Sequence, residues 1–171
     1  MSNVFLISDT HFGHEKTCTT FTNADGSFLR PFANAEEMDE EMVRRWNSVV
    51  RPQDKVYHLG DVVIGKKHLN TVRRLNGHLR LVRGNHDVFD TKMYMDVGFK
   101  EVYGVRVLSD MILSHIPLHP DCITPRFNVN VHGHLHGNTM ADNRYFSVCV
   151  EQIDYTPIAL EEVRSRINSR T

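Results

Sequence analysis

Five times in this chain a short apolar run ends in side chains that bind metal ions. The runs are Val4 to Ser8, Val56 to Leu59, Leu79 to Val82, Met111 to Ser114 and Phe127 to Val131. They lead into Asp9-x-His11, Gly60-Asp61, Gly84-Asn85-His86-Asp87, His115 and Gly133-His134-x-His136, in that order. Short runs rich in Val, Ile, Leu and Phe, bounded by turn residues, read as strands. A fold is therefore needed that places Asp, Asn and His side chains at strand ends. Those oxygen and nitrogen donors are the set that a pair of divalent cations takes.

The segments between the runs define the rest. Phe12 to Pro31 is long and polar, with Asn23-Ala24-Asp25-Gly26 as a turn signal, and reads as a functional loop. Asn34 to Val50 reads as a helix: Asn34 can cap it, Glu37 stands three residues on, and Met38, Met42, Trp46 and Val49 or Val50 form an apolar stripe. Lys66 to Leu75 and Phe89 to Val97 read as further helices, closed by Asn76-Gly77 and by Gly98. Later the period changes. Val102 to Leu108 and Arg144 to Val150 add strand-like runs, Ser109-Asp110 offers a tight turn, and Leu160 to Ile167 reads as a closing helix. The first half is thus β-α-β-α-β and the second mostly β, which implies two sheets with helices outside.

Composition narrows the class. With 171 residues, 40% of them hydrophobic, the chain reads as one globular domain over residues 1–171. A net charge of -1 carries no basic excess for gripping a long nucleic acid or an anionic membrane. Three cysteines, Cys18, Cys122 and Cys149, without a Cys-x-x-Cys spacing argue against a disulfide framework and fit a reducing, cytoplasmic setting. Val4 to Ile7 is too short for a signal segment, and no stretch approaches the roughly 20 apolar residues of a membrane span. Histidine is the outlier, at 11 residues.

Each motif has a chemical reading. If the backbone stays extended, Asp9 and His11 point to one side and reach one cation, as do His134 and His136. Spacing alone does not decide which two of His132, His134 and His136 bind. Asp61 has two carboxylate oxygens and can bridge two cations, with Gly60 permitting the turn that exposes it. Asn85 offers a neutral carbonyl oxygen. His86 can serve as a general acid, with Asp87 holding its imidazole in one tautomer. His14, Lys16, Arg30, His119 and Arg126 are possible substrate contacts, His58 reads as a half-buried histidine, and His68 and His78 read as surface residues.

The order Asp-x-His, Gly-Asp, Gly-Asn-His-Asp, His, Gly-His-x-His resembles the calcineurin-like metallophosphoesterases. Asp9-Thr10-His11-Phe12-Gly13-His14 is similar to the small stand-alone bacterial and phage members. The resemblance implies a four-layer α/β/β/α sandwich of two mixed sheets flanked by helices. It implies one metal on Asp9, His11, Asp61 and His136, and another on Asp61, Asn85, His115 and His134. Asp61 then bridges, and His132 is not a ligand. The metals are Mn²⁺ first, with Fe or Zn²⁺ as alternatives. The chemistry implied is phosphoester hydrolysis by a bridging hydroxide attacking in line, with His86 protonating the leaving oxygen. A small phosphodiester or nucleotide is the favoured substrate, a phosphomonoester the alternative. A nuclease and a non-catalytic scaffold stand further off. Oligomeric state is not readable.

Overall fold

The computed structural model describes residues 2–123 and 126–169. The chain runs β1 (Val4–Ile7), α1 (Lys16–Thr19), α2 (Ala35–Val49), β2 (Lys55–His58), α3 (Leu69–Val72), β3 (His78–Val82), α4 (Thr91–Asp96) and β4 (Phe99–Tyr103). It continues with β5 (Arg106–Leu108), β6 (Met111–Leu113), β7 (Val129–His132), β8 (Tyr145–Ser147), β9 (Ile158–Ala159) and α5 (Leu160–Asn168).

Two mixed sheets result. The first has the order β4-β3-β2-β1-β9 and the second β5-β6-β7-β8. Strands β1 to β4 are parallel neighbours, as apolar runs joined through helical crossovers should be, and β9 closes the edge antiparallel. In the second sheet β6, β7 and β8 are parallel and β5 is antiparallel to β6. Leu6, Leu81, Leu113, Val131 and Val148, drawn from both sheets and their ends, are fully buried in one apolar cluster. The fold is therefore the expected α/β class, with two mixed sheets and helices.

Helix α2 shows how the sequence specifies an element. Asn34 Oδ1 accepts the Glu37 N–H at 2.9 Å and Glu37 Oε2 accepts the Ala33 N–H at 2.8 Å, so both ends of the capping pair are used. Met38, Met42 and Trp46 are buried, each Met contributing roughly 1.5–3 kcal/mol by leaving water. The stripe ends on Val50, which is buried, and not on exposed Val49. The Trp46 indole N–H donates to the Asn76 carbonyl at 2.9 Å, and its ring stacks on His58 of β2.

Three expectations are corrected. Val102 to Leu108 is not one strand: a bend at Gly104 and Val105 divides it, and β4 and β5 belong to different sheets. Lys66 to Leu75 is a 3-10 turn followed by the single turn of α3, because only Leu69, Val72 and Leu75 reach the core. Phe12 to Pro31 is not open loop. It holds α1 and a small hairpin in which Thr22 pairs with Phe28 around the Asn23 to Ser27 turn. Strand β9 was not anticipated, since two residues carry no period.

Candidate metal centre

Parallel neighbours end on the same side, so the loops after β1, β2 and β3 converge, as do those after β6 and β7. Backbone hydrogen bonds continue past the strands and lock the loops together. Asp9 N–H donates to the Gly60 carbonyl at 2.9 Å, His11 N–H to Asp61 at 3.0 Å and Gly133 N–H to His115 at 2.8 Å. Ser8 joins the sheets: its N–H donates to Val148 and its carbonyl accepts from Val150.

Five of the seven expected ligands are not presented by extended backbone. Asp9 (φ 58°), His11 (45°), Asp61 (58°), His134 (72°) and His136 (50°) all lie in the left-handed region. Alternation along a strand is therefore not what aims Asp9 with His11, or His134 with His136. Each pair sits in a hooked turn that costs energy for a residue with a Cβ, and such strain concentrates at functional sites.

Six of the seven side chains form two groups, Asp9 with His11 and His136, and Asp61 with His115 and His134. Within each group the donor atoms lie within 4.8 Å of one another. In the first, Asp9 Oδ1 is 3.8 Å from His11 Nε2 and 3.9 Å from His136 Nε2. It is buried and has no hydrogen-bond partner among the described residues, whereas Asp9 Oδ2 accepts from Ser8 Oγ (2.6 Å), His134 N–H (2.9 Å) and the Cys149 thiol (3.3 Å). An orphaned buried carboxylate oxygen facing two imidazole nitrogens beyond hydrogen-bond length fits a cation about 2.0–2.2 Å from each. Asp61 Oδ2 stands between the groups, 3.6 Å from His11 Nε2 and 3.4 Å from His115 Nε2, while its Oδ1 accepts the His86 N–H at 2.8 Å. Asn85, the seventh, puts Oδ1 2.9 Å from His115 Nε2. The His115 Nδ1–H donates to the Leu59 carbonyl at 2.8 Å, which turns Nε2 inward.

Two glycines allow this crowding. A Cβ on Gly133 would lie 2.4 Å from Asp9 Oδ2, and one on Gly84 2.2 Å from Asp61 Oδ1. No larger residue lets those backbones approach the carboxylates.

Electrostatics favour the ligand forms of His11 and Asp61. Burial, with the Arg30 charge behind it, drives the His11 imidazole well below its usual value, so it is neutral. Burial would raise the Asp61 carboxyl, but the hydrogen bond and charge of His115 hold it down at about 2. For His115 burial is outweighed by Asp61, and for His136 by Glu151, so both are raised. Burial beside Asp9 pushes the Cys149 thiol up, leaving it a donor.

Other expected site residues are placed differently. The Asp87 carboxylate does not hold the His86 ring. It is buried and accepts backbone N–H groups of Asp61 (2.8 Å), Gly84 (2.8 Å) and Val62 (3.0 Å), fastening the loop after β3 to the loop after β2. His86 is exposed, its ring 5.4 Å from that of His11. Arg30 is no surface contact for substrate. It is fully buried, ion-pairs with Glu151 at 2.9 Å and donates to the carbonyls of Asp9 and Thr10. His14 adjoins the centre, ring to ring with His11 at 5.7 Å. Lys16 is exposed at the start of α1, and exposed His119 uses Nδ1 to accept the Asp121 N–H at 3.3 Å. His132 stays apart from both groups, its ring N–H donating to the Gly133 carbonyl. His68 is half-buried against Gly13, not a surface residue. Sequence reasoning missed Glu151, Cys149 and Ser8. Glu151 had a signal: like the ligands, it is an acid directly after a strand-like run.

Comparison with known proteins bears on the family and the fold. Residues 2–150 match the family described as calcineurin-like phosphoesterase superfamily domain. An uncharacterized protein of Methanocaldococcus jannaschii is 32% identical over 178 residues, covering 94% of this chain and 89% of that protein. A protein of unknown function from Aquifex aeolicus superposes with a TM-score of 0.72 at 25% identity, covering 96% of this chain and 99% of the other. An archaeal phosphodiesterase shares the fold at a TM-score of 0.51 and 14% identity, covering 86% of this chain and 82% of its own.

Proposed function

The chain belongs to the calcineurin-like phosphoesterase superfamily, and from that membership and the site's geometry we propose that it hydrolyses a phosphodiester bond in a small or nucleotide substrate. The observation that carries the reading is the unpartnered Asp9 Oδ1, set among imidazole nitrogens beside a second group of the same chemistry. Asp9, His11 and His136 would hold one divalent cation, and Asn85, His115 and His134 another, with Asp61 between them. Mn²⁺ is the first candidate, Fe or Zn²⁺ the alternatives. Such a pair, when bound, supplies Lewis acidity toward a phosphoryl group and water. The protein's part is to hold the donors in place without reorganisation, which the strained turns and the buried Asp87 do. His86, exposed beside His11, is the proton donor for the leaving oxygen. The same reading takes residues 1–171 as one catalytic domain working without a long nucleic acid.

Diester preference rests on charge. A monoester carries a second negative charge and is best gripped by guanidinium side chains. Arg30, which lies against the centre, is buried and committed to Glu151 and two carbonyls, and Arg83, two residues before Asn85, is committed to the carbonyls of Asp87 and Phe89. Exposed Asn85 and His86 leave the site accessible. Mn²⁺-loaded protein assayed side by side on p-nitrophenyl phosphate, bis-p-nitrophenyl phosphate and a 2′,3′-cyclic nucleotide should favour a diester. A higher rate on the monoester than on either diester would overturn the assignment.

A further inference from the structure

Behind the first group lies a charge pair that the reaction does not use. Glu151, in the 3-10 turn after β8, has a side chain only 8% exposed. Its Oε1 accepts from the His136 Nδ1–H at 3.1 Å and from Arg30 Nε at 2.9 Å. The neighbouring Gln152 donates from Nε2 to the His136 carbonyl at 3.0 Å. Two consecutive residues thus hold the ring and the backbone of one expected ligand. Arg30 in turn donates to the carbonyls of Asp9 and Thr10, the turn that carries Asp9 and His11. All three members of the first group are therefore tied to this one ion pair. The side chains of the second group use other supports: His115 Nδ1–H donates to the Leu59 carbonyl and Asp61 Oδ1 accepts the His86 N–H, while the backbone N–H of His134 meets the first group at Asp9 Oδ2.

We propose that Glu151 is a positioning residue that holds the Asp9, His11 and His136 half of the centre competent for a divalent cation, and that half alone. A carboxylate on Nδ1–H fixes the tautomer in which the Nε2 lone pair faces Asp9 Oδ1, and makes that nitrogen a better donor. Removing such a partner weakens metal binding about 10–100-fold. The inference rests on the metal-dependent reading above.

The test is calorimetric titration of Mn²⁺ into the metal-free full chain, comparing the parent with Glu151→Gln and with Arg30→Gln/Glu151→Gln. The double variant removes both buried charges together, so Arg30 is not left unpaired if the single variant folds poorly. Near-UV circular dichroism checks packing. Two ions should bind the parent. Each folded variant should keep one at parental affinity and bind the other about 10–100-fold more weakly. Long-range ¹H–¹⁵N spectra of the metal-free parent, recorded at a pH high enough that the ring is neutral, should show His136 with its proton on Nδ1, and the variants a mixture of tautomers. Two ions at parental affinity in folded variants would overturn the proposal, as would equal weakening of both ions, which marks a merely structural role. A parent that binds no ion would overturn the functional reading itself, and this inference with it.

Discussion

At Asp9 the two carboxylate oxygens have different duties. Oδ2 takes hydrogen bonds from Ser8, His134 and Cys149, so the side chain cannot rotate, while Oδ1 is left bare toward His11 and His136. Residues aimed in this way owe their direction to left-handed turns and to glycines at Gly84 and Gly133, not to strand alternation. His86 differs from them: its side chain is exposed, with its ring edge-on to that of His11. His86→Asn should therefore leave metal content unchanged and lower turnover about 10²–10⁴-fold for esters with poor leaving groups. The loss should shrink for a p-nitrophenolate leaving group, which needs no proton. Equal losses on both ester types would remove His86 from the proton-donor role. Residue identities were readable because metal donors cluster in few patterns. The work of Asp87, Arg30 and Glu151 was not, because each acts through a partner distant in sequence: Asp61 and Val62 for Asp87, Glu151 for Arg30, His136 for Glu151.

Among elements, the junction of β1, β2 and α2 shows how the scaffold bears on the site. His58, the last residue of β2, is completely buried, with Trp46 of α2 stacked on its ring. Thr10 gives its hydroxyl hydrogen to the Val62 carbonyl and so accepts from His58 Nε2–H. The Gly60 N–H donates to His58 Nδ1, which must then be unprotonated. Burial therefore lowers this imidazole to about 3. The unfolded chain takes up the proton near pH 6.5, the folded chain only near pH 3. The stability contributed is complete above pH 6.5 and lost as pH falls between those values, on the order of 5 kcal/mol in all. Denaturant unfolding from pH 7.5 to pH 4 should show that decline, and His58→Asn, less stable at neutral pH, should show a shallower one. An unchanged slope in His58→Asn would place the acid sensitivity elsewhere. Long elements were legible: α2 carries its cap and its stripe in sequence. Short ones were not. Val102 to Leu108 is continuous as a pattern yet serves two sheets, and β9 is recognised only by its pairing with β1.

Across the whole molecule, parallel strands in two sheets deliver their ends to one region, and one apolar core fixes the sheets against each other. Among the described residues no helix is long and apolar enough to cross a membrane. The order of motifs along the chain was sufficient to indicate the superfamily, because each motif sits at a strand end that the topology brings to the same place. The central claim is a pair of cations with Asp61 between them, and anomalous diffraction from crystals grown with Mn²⁺ tests it most directly. The account predicts two anomalous peaks about 3.5–4 Å apart, one beside Asp9, His11 and His136, the other beside Asn85, His115 and His134, with an Asp61 oxygen touching both. A single peak, or a pair that Asp61 does not join, would contradict it.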